Sequence, residues 1–231
     1  MAAAALHPRR SRRRSGVRAK RQHRLADPLI DLRLFRAPAF SVSLAAYTLG
    51  TFVAFGSFLF IAQYLQRVLG LSPLQAGVWM LPFFVGWISG SMLAPLIARR
   101  LRRAFALSAG LVLAAGGFGL LTRVDGGSAL LVLVTGSLLV SLGLAPVFTL
   151  ATDVIVGAAP PERAGAASAI SETGSELGGA LGIALLGSLA TAVYGREALT
   201  QGLQLTAAIS AAVVLATAIV AAVVLRQVRT A

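Results

Sequence analysis

Two carboxylates stand inside the stretch SAISETGSELGGALG at residues 168–182, Glu172 and Glu176, and the run continues as IALLGSLATAV. On a helix of 3.6 residues per turn they lie about 40° apart, with Ser168, Ser175 and Gly179 beside them. Ile170, Leu177, Leu181 and Leu185 fall on the opposite face, and Gly174, Gly178 and Gly182 recur every four residues between the two. Such a ridge of small residues lets a neighbouring helix approach closely. A carboxylate at mid-membrane costs about 2.5–3.5 kcal/mol on insertion scales, so those retained there mark proton or substrate pathways. The chemistry expected of the pair is proton uptake and release, with Glu176 the deeper group. The alternative places both at a hydrated cytoplasmic mouth, free or paired with Arg99, Arg100, Arg102 or Arg103. Glu172 lies only roughly 12 Å along the axis from Ala164 at 1.5 Å per residue.

Three further features have chemical content. Asp153 closes an apolar run in FTLATDVIVGAAPPERAG, where it is either a solvated helix end or one partner of a gate pair with Arg163 or the 99–103 arginines. Pro146, within LGLAPVF, is expected to kink its helix and free a carbonyl, a candidate hinge. Phe52, Phe55 and Phe58 suit either a pocket for apolar or cationic ligands or lipid-facing packing. Gln63, Tyr64 and Gln66 read as interfacial anchors.

Enzyme chemistry finds no footing. The two histidines, His7 and His23, both lie in the polar N-terminal stretch, so no apolar segment holds an imidazole base. There is no cysteine and no His-Glu-x-x-His. Asp125 and Asp153 fall at opposite ends of one apolar run, too far apart for an aspartyl dyad. No catalytic residue, metal site or cofactor is expected.

The elements that must position these residues are membrane helices. Of 231 residues, 57% are hydrophobic and 13% charged, against roughly 25% charged in a soluble domain. Mean hydropathy is +0.81. Six apolar runs cover about 40–64, 74–98, 104–122, 129–155, 164–193 and 204–225, each near the ~20 residues that cross a bilayer. No period-two pattern suggests barrel strands, and backbone groups in lipid must be satisfied within each segment, so the runs are predicted helices. The fold expected is all-α: one bundle of six transmembrane helices over 40–226, with 227–231 a cytoplasmic C-terminus.

From residue 27 onward, nine arginines flank one side of these spans and three the other. The positive-inside rule then puts both termini in the cytoplasm, in a multi-pass protein of the cell membrane. Residues 1–39 contain HPRRSRRRSGVRAKRQHR, nine of the 21 Lys and Arg residues. They read as a basic, disordered tail; contact with anionic lipid is the functional alternative. The formal charge of +13 is thus largely a topology signal, and nucleic acid is not an expected partner.

Three stretches together resemble the major facilitator superfamily, specifically its fourteen-helix drug:proton antiporters of the EmrB/QacA type. DPLIDLRLFR at 27–36 is similar to the segment before that family's ninth helix. QYLQRVLGLSPLQAGVWMLP at 63–82 is the most specific, its Gly70, Ser72, Pro73, Ala76, Gly77 and Pro82 matching the loop between the ninth and tenth helices. PPERAGAASAISETGSELGGALGIALLGS at 160–188 looks like the twelfth–thirteenth loop and the thirteenth helix. APLIARRLRR at 94–103 is a degenerate echo of the family's Gly-x-x-x-Asp-Arg-x-Gly-Arg-Arg loop, lacking the Asp and the second Gly. The resemblance implies the C-terminal six-helix half of a proton-coupled multidrug efflux transporter, truncated and inactive alone. It also implies an N-terminal six-helix half as partner, with protons and small hydrophobic or cationic molecules as substrates. A non-transporting membrane subunit and a homodimeric half-transporter are the alternatives.

Overall fold

The computed structural model describes residues 34–125, 127–188 and 196–227. Its long elements are six helices: α1 Pro38–Gln63, α2 Pro73–Arg100, α3 Arg103–Leu121, α4 Ala129–Gly157, α5 Ala164–Leu181 and α6 Arg196–Gln227. No strand occurs among the described residues. Most of the basic tail lies outside them. Residue Leu34, ahead of α1, is buried in a small cluster with Phe40, Ile155 and Ala167, so the packed part reaches back to it.

The specific loop motif has a local physical reading. After α1, a wider helical turn spans Tyr64–Val68, and the chain then reverses at Gly70 with φ of 69°, a conformation that a Cβ disfavours. Ser72 caps α2: its hydroxyl accepts from the Gln75 N–H at 3.3 Å, and the Gln75 side-chain oxygen accepts from the Ser72 N–H at 2.9 Å. Pro73 occupies the first helical position, where its missing N–H costs nothing.

Five helices, α1, α2, α3, α4 and α6, are long and apolar enough to cross a membrane. Over its described residues α5 is not, because Ser, Thr and two Glu dilute its 18 residues. Its apolar continuation runs through a wider turn at Gly182–Leu186, and residues 189–193 of the expected span lie outside the described set. Helix α6 differs the other way. It starts at Arg196 rather than near 204, since its polar first turns, holding Glu197 and Gln201, lower local hydropathy without preventing helix formation. There Gln204 donates from its side-chain amide to the Val124 carbonyl at 2.8 Å, tying α6 to the end of α3.

Helices α1 and α4 are central. Helix α1 packs on α4, α5 and α6; α4 packs on α1, α2, α3 and the start of α5; α3 and α6 pack on each other. Glycines set the closest approaches. Gly110 meets the Gly143 carbonyl and Gly117 that of Gly136, a Cβ falling 2.7 and 2.8 Å away, so α3 and α4 touch backbone to backbone. Helices α2 and α5 flank the pair. Helix α2 reaches α4 through one narrow stripe, Gly86, Gly90 and Ala94, and its Leu81, Val85, Ile88 and Met92 are exposed.

Candidate functional site

Helix α5 docks on α1 by its glycine ridge. Gly178 lies against the Thr48 carbonyl oxygen and Gly182 against that of Phe52, while a Cβ on Gly174 would meet the Thr48 hydroxyl at 2.7 Å. From the other side, Gly56 of α1 faces the Gly182 carbonyl and Leu186. Gly178 and Gly182 are buried and Gly174 is half-buried, whereas the two faces beside the ridge are open: Glu172 and Glu176 are exposed on one flank, Leu177 and Leu181 on the other. The glutamate flank borders α1, since a Cβ on Gly179 would meet the Phe55 ring at 3.5 Å. Neither glutamate forms an ion pair with the 99–103 arginines among the described residues.

On α1, α2 and α4 the structure assembles a group that sequence reasoning missed. Tyr47 and Phe148 have ring centroids 4.8 Å apart, Phe148 and Trp87 5.2 Å, and Trp87 and Phe83 5.9 Å. Phe58 stands 5.9 Å from Phe83 and 6.3 Å from Phe84. The result is one continuous line of aromatic rings across three helices. Gly50 makes it possible, because a Cβ there would press on the Phe148 ring at 3.1 Å. Of the three phenylalanines weighed from sequence, Phe58 joins this line, Phe55 covers Gly179, and Phe52 supplies its carbonyl to the α5 contact. The only hint in the sequence is the Phe83–Trp87 spacing of four, which puts the two rings on one helix face; the partners on α1 and α4 carry no local signal.

Pro146 is buried in α4, which is continuous from Ala129 to Gly157. The carbonyl expected to lose its partner, that of Leu142, lies under Gly90 of α2, where a Cβ would stand 3.3 Å from it and 3.1 Å from Pro146. Asp153 is exposed near the end of α4 and makes no ion pair among the described residues. The described residues also hold no group of three His, Asp or Glu that a metal would need.

The exposed carboxylates of α5 thus share a flank with the contact of Gly179 on Phe55 of α1. The chain is 36% identical over 175 residues to the multidrug efflux pump LfrA of Mycolicibacterium smegmatis, covering 76% of this chain and 35% of that protein. It is 33% identical over 175 residues to the tetracenomycin C resistance and export protein of Streptomyces glaucescens, covering 76% and 32%. The methyl viologen resistance protein SmvA of Salmonella typhimurium is 35% identical over 176 residues, covering 75% and 35%. The chain thus spans about a third of the length of these curated relatives. Its sequence matches the profile described as Major Facilitator Superfamily over residues 1–183 and, in an overlapping match, 47–231. With these matches and its membrane-spanning helices, the chain belongs to the major facilitator superfamily, as a multi-pass membrane protein of a transporter family and not an enzyme.

Proposed function

We propose that this chain supplies the C-terminal six-helix half of a proton-coupled multidrug efflux transporter of the fourteen-helix EmrB/QacA type. The observation that carries the reading is the exposure of Glu172 and Glu176 on an α5 flank that borders Phe55 of α1. In a lone bundle that flank meets lipid, at a cost of about 2.5–3.5 kcal/mol for each carboxylate near the bilayer centre. A second six-helix half set against α2 and α5 turns the same flank into the wall of a water-filled cavity, the arrangement in which substrate sits between two halves. The thin stripe by which α2 is held leaves most of its surface for that partner.

The substrates proposed are small hydrophobic or cationic molecules, taken up by Tyr47, Trp87, Phe148, Phe83 and Phe58. Methyl viologen, in the name of one relative, is an aromatic dication, which such rings bind by stacking and cation–π attraction. Protons would enter by Glu176 and Glu172, with Asp153 on the path from the cytoplasm and Pro146 as a hinge in α4. Alone, the chain has one wall of the cavity and is expected not to transport.

The test is reconstitution. The chain is purified alone and after co-expression with a six-helix N-terminal half, and each sample is placed in vesicles with a fluorescent cationic dye and an imposed pH gradient. Gradient-driven dye movement is expected from the co-expressed pair only. Movement by the chain alone would replace the reading with a homodimeric half-transporter, and co-purification without movement would favour a non-transporting subunit.

A further inference from the structure

At the end of the bundle where α2 meets α3, a groove is lined by Arg99, Arg100, Arg102 and Arg103 together with Phe105 and Leu225. We propose that this groove is a binding site for an anionic phospholipid, its phosphodiester held by the arginines and its acyl chains lying on the apolar side chains.

Three observations converge on that ligand. All four arginines are exposed, and none has a carboxylate within ion-pair distance among the described residues. A guanidinium keeps its charge at any ordinary pH, so the groove presents four cations to an anion that enters it. The backbone that bears the arginines is also short: α2 ends at Arg100 and α3 begins at Arg103, leaving two residues between the helices. The four charges are thereby kept close together along the groove. The α3 N-terminus adds to the attraction, with no side-chain cap and no acidic residue in its first turn.

The third observation separates a lipid from free phosphate. Phe105 is 56% exposed and Leu101 43%, directly beside the charges. Exposed aromatic and aliphatic groups next to four cations match an amphipathic ligand, charged at one end and apolar along its length. The groove stands where the apolar helices stop, at headgroup depth, and basic pockets between membrane helices at this level bind acidic headgroups.

Native mass spectrometry of the full chain in an uncharged detergent tests the proposal, with phosphatidylglycerol and phosphatidylcholine of identical acyl chains in competition. Wild-type protein is expected to retain phosphatidylglycerol preferentially. R102Q/R103Q should lower that preference on the order of tenfold, and R102K/R103K, which keeps charge but loses the planar fork, should fall between. Equal retention of the two lipids by wild-type protein would overturn the proposal without any variant, as would an unchanged preference in a correctly helical R102Q/R103Q. Displacement of the lipid by inorganic phosphate in large excess would reassign the groove to a free anion. The outcome is independent of transport, so the site can stand or fall apart from the proposed function.

Discussion

Gly182 of α5 sits against the backbone carbonyl oxygen of Phe52 on α1, closer than any Cβ could tolerate. One turn earlier Gly178 does the same to Thr48. Two helices running in the same direction are thereby locked backbone to backbone, and the exposure of the glutamates follows from that lock.

Substituting Gly182→Ala should therefore force the helices apart, costing about 1–3 kcal/mol as overpacking does. Gly116→Ala, on a part of α3 where a Cβ meets nothing within 4 Å, should be neutral or stabilising by up to about 1 kcal/mol from helix propensity. Thermal unfolding of both variants in detergent reads the contrast. Equal melting temperatures would show that the α1–α5 contact tolerates a methyl group.

The link between Gln204 and Val124 is a second packing prediction. Gln204→Leu leaves the carbonyl of a fully buried residue without its donor, at a cost of about 1–3 kcal/mol. The expected readout is a lowered melting temperature together with faster proteolysis between α3 and α4. A variant as stable as the parent would mean that the carbonyl finds water instead.

The aromatic line predicts affinity. Trp87→Leu and Phe148→Leu keep apolar volume but remove the π faces, so binding of an aromatic cation by the assembled transporter should weaken between about two- and thirtyfold for each. A Trp79→Phe background leaves Trp87 as the sole tryptophan, and quenching of its fluorescence by the ligand measures the contact directly. Unchanged affinity in both variants would place the substrate elsewhere.

Proton handling is tested at Glu176. Glu176→Gln preserves size and hydrogen bonding but cannot titrate, so in an assembly with an N-terminal half it should impair pH-gradient-driven transport more than substrate binding. Leu177→Gln, on the opposite flank, should act through insertion or packing and lower the amount of folded protein. Normal transport by Glu176→Gln across the pH range would assign the glutamate a structural role.

Topology is the last prediction. Tags at Met1 and Ala231 should both be shielded from an impermeant reagent in intact cells, because nine basic residues flank one side of the spans and three the other. Labelling of either end would reverse the orientation.

Sequence alone determined what depends on a run of neighbouring residues. Helical, membrane-crossing segments follow from hydropathy over about 20 residues, because lipid offers backbone groups no partner outside the helix. The loop at Gly70, Ser72 and Pro73 was legible as a family resemblance, and the structure supplies its local cause: each residue type answers a backbone demand, a positive φ, a free N–H or its absence. The small-residue ridge of α5 could be read from its spacing, though its partner could not. Tertiary structure decided which helix meets which. Nothing local tells Gly182 that its neighbour is Phe52, or that Gly50 opens the place where Phe148 bridges Tyr47 and Trp87. Those contacts join residues far apart in the chain, and they depend on helix register and crossing, which are set by all the close approaches of the bundle at once. The same is true of the early start of α6, where polar residues obscure a helix that Gln204 anchors across the bundle to Val124.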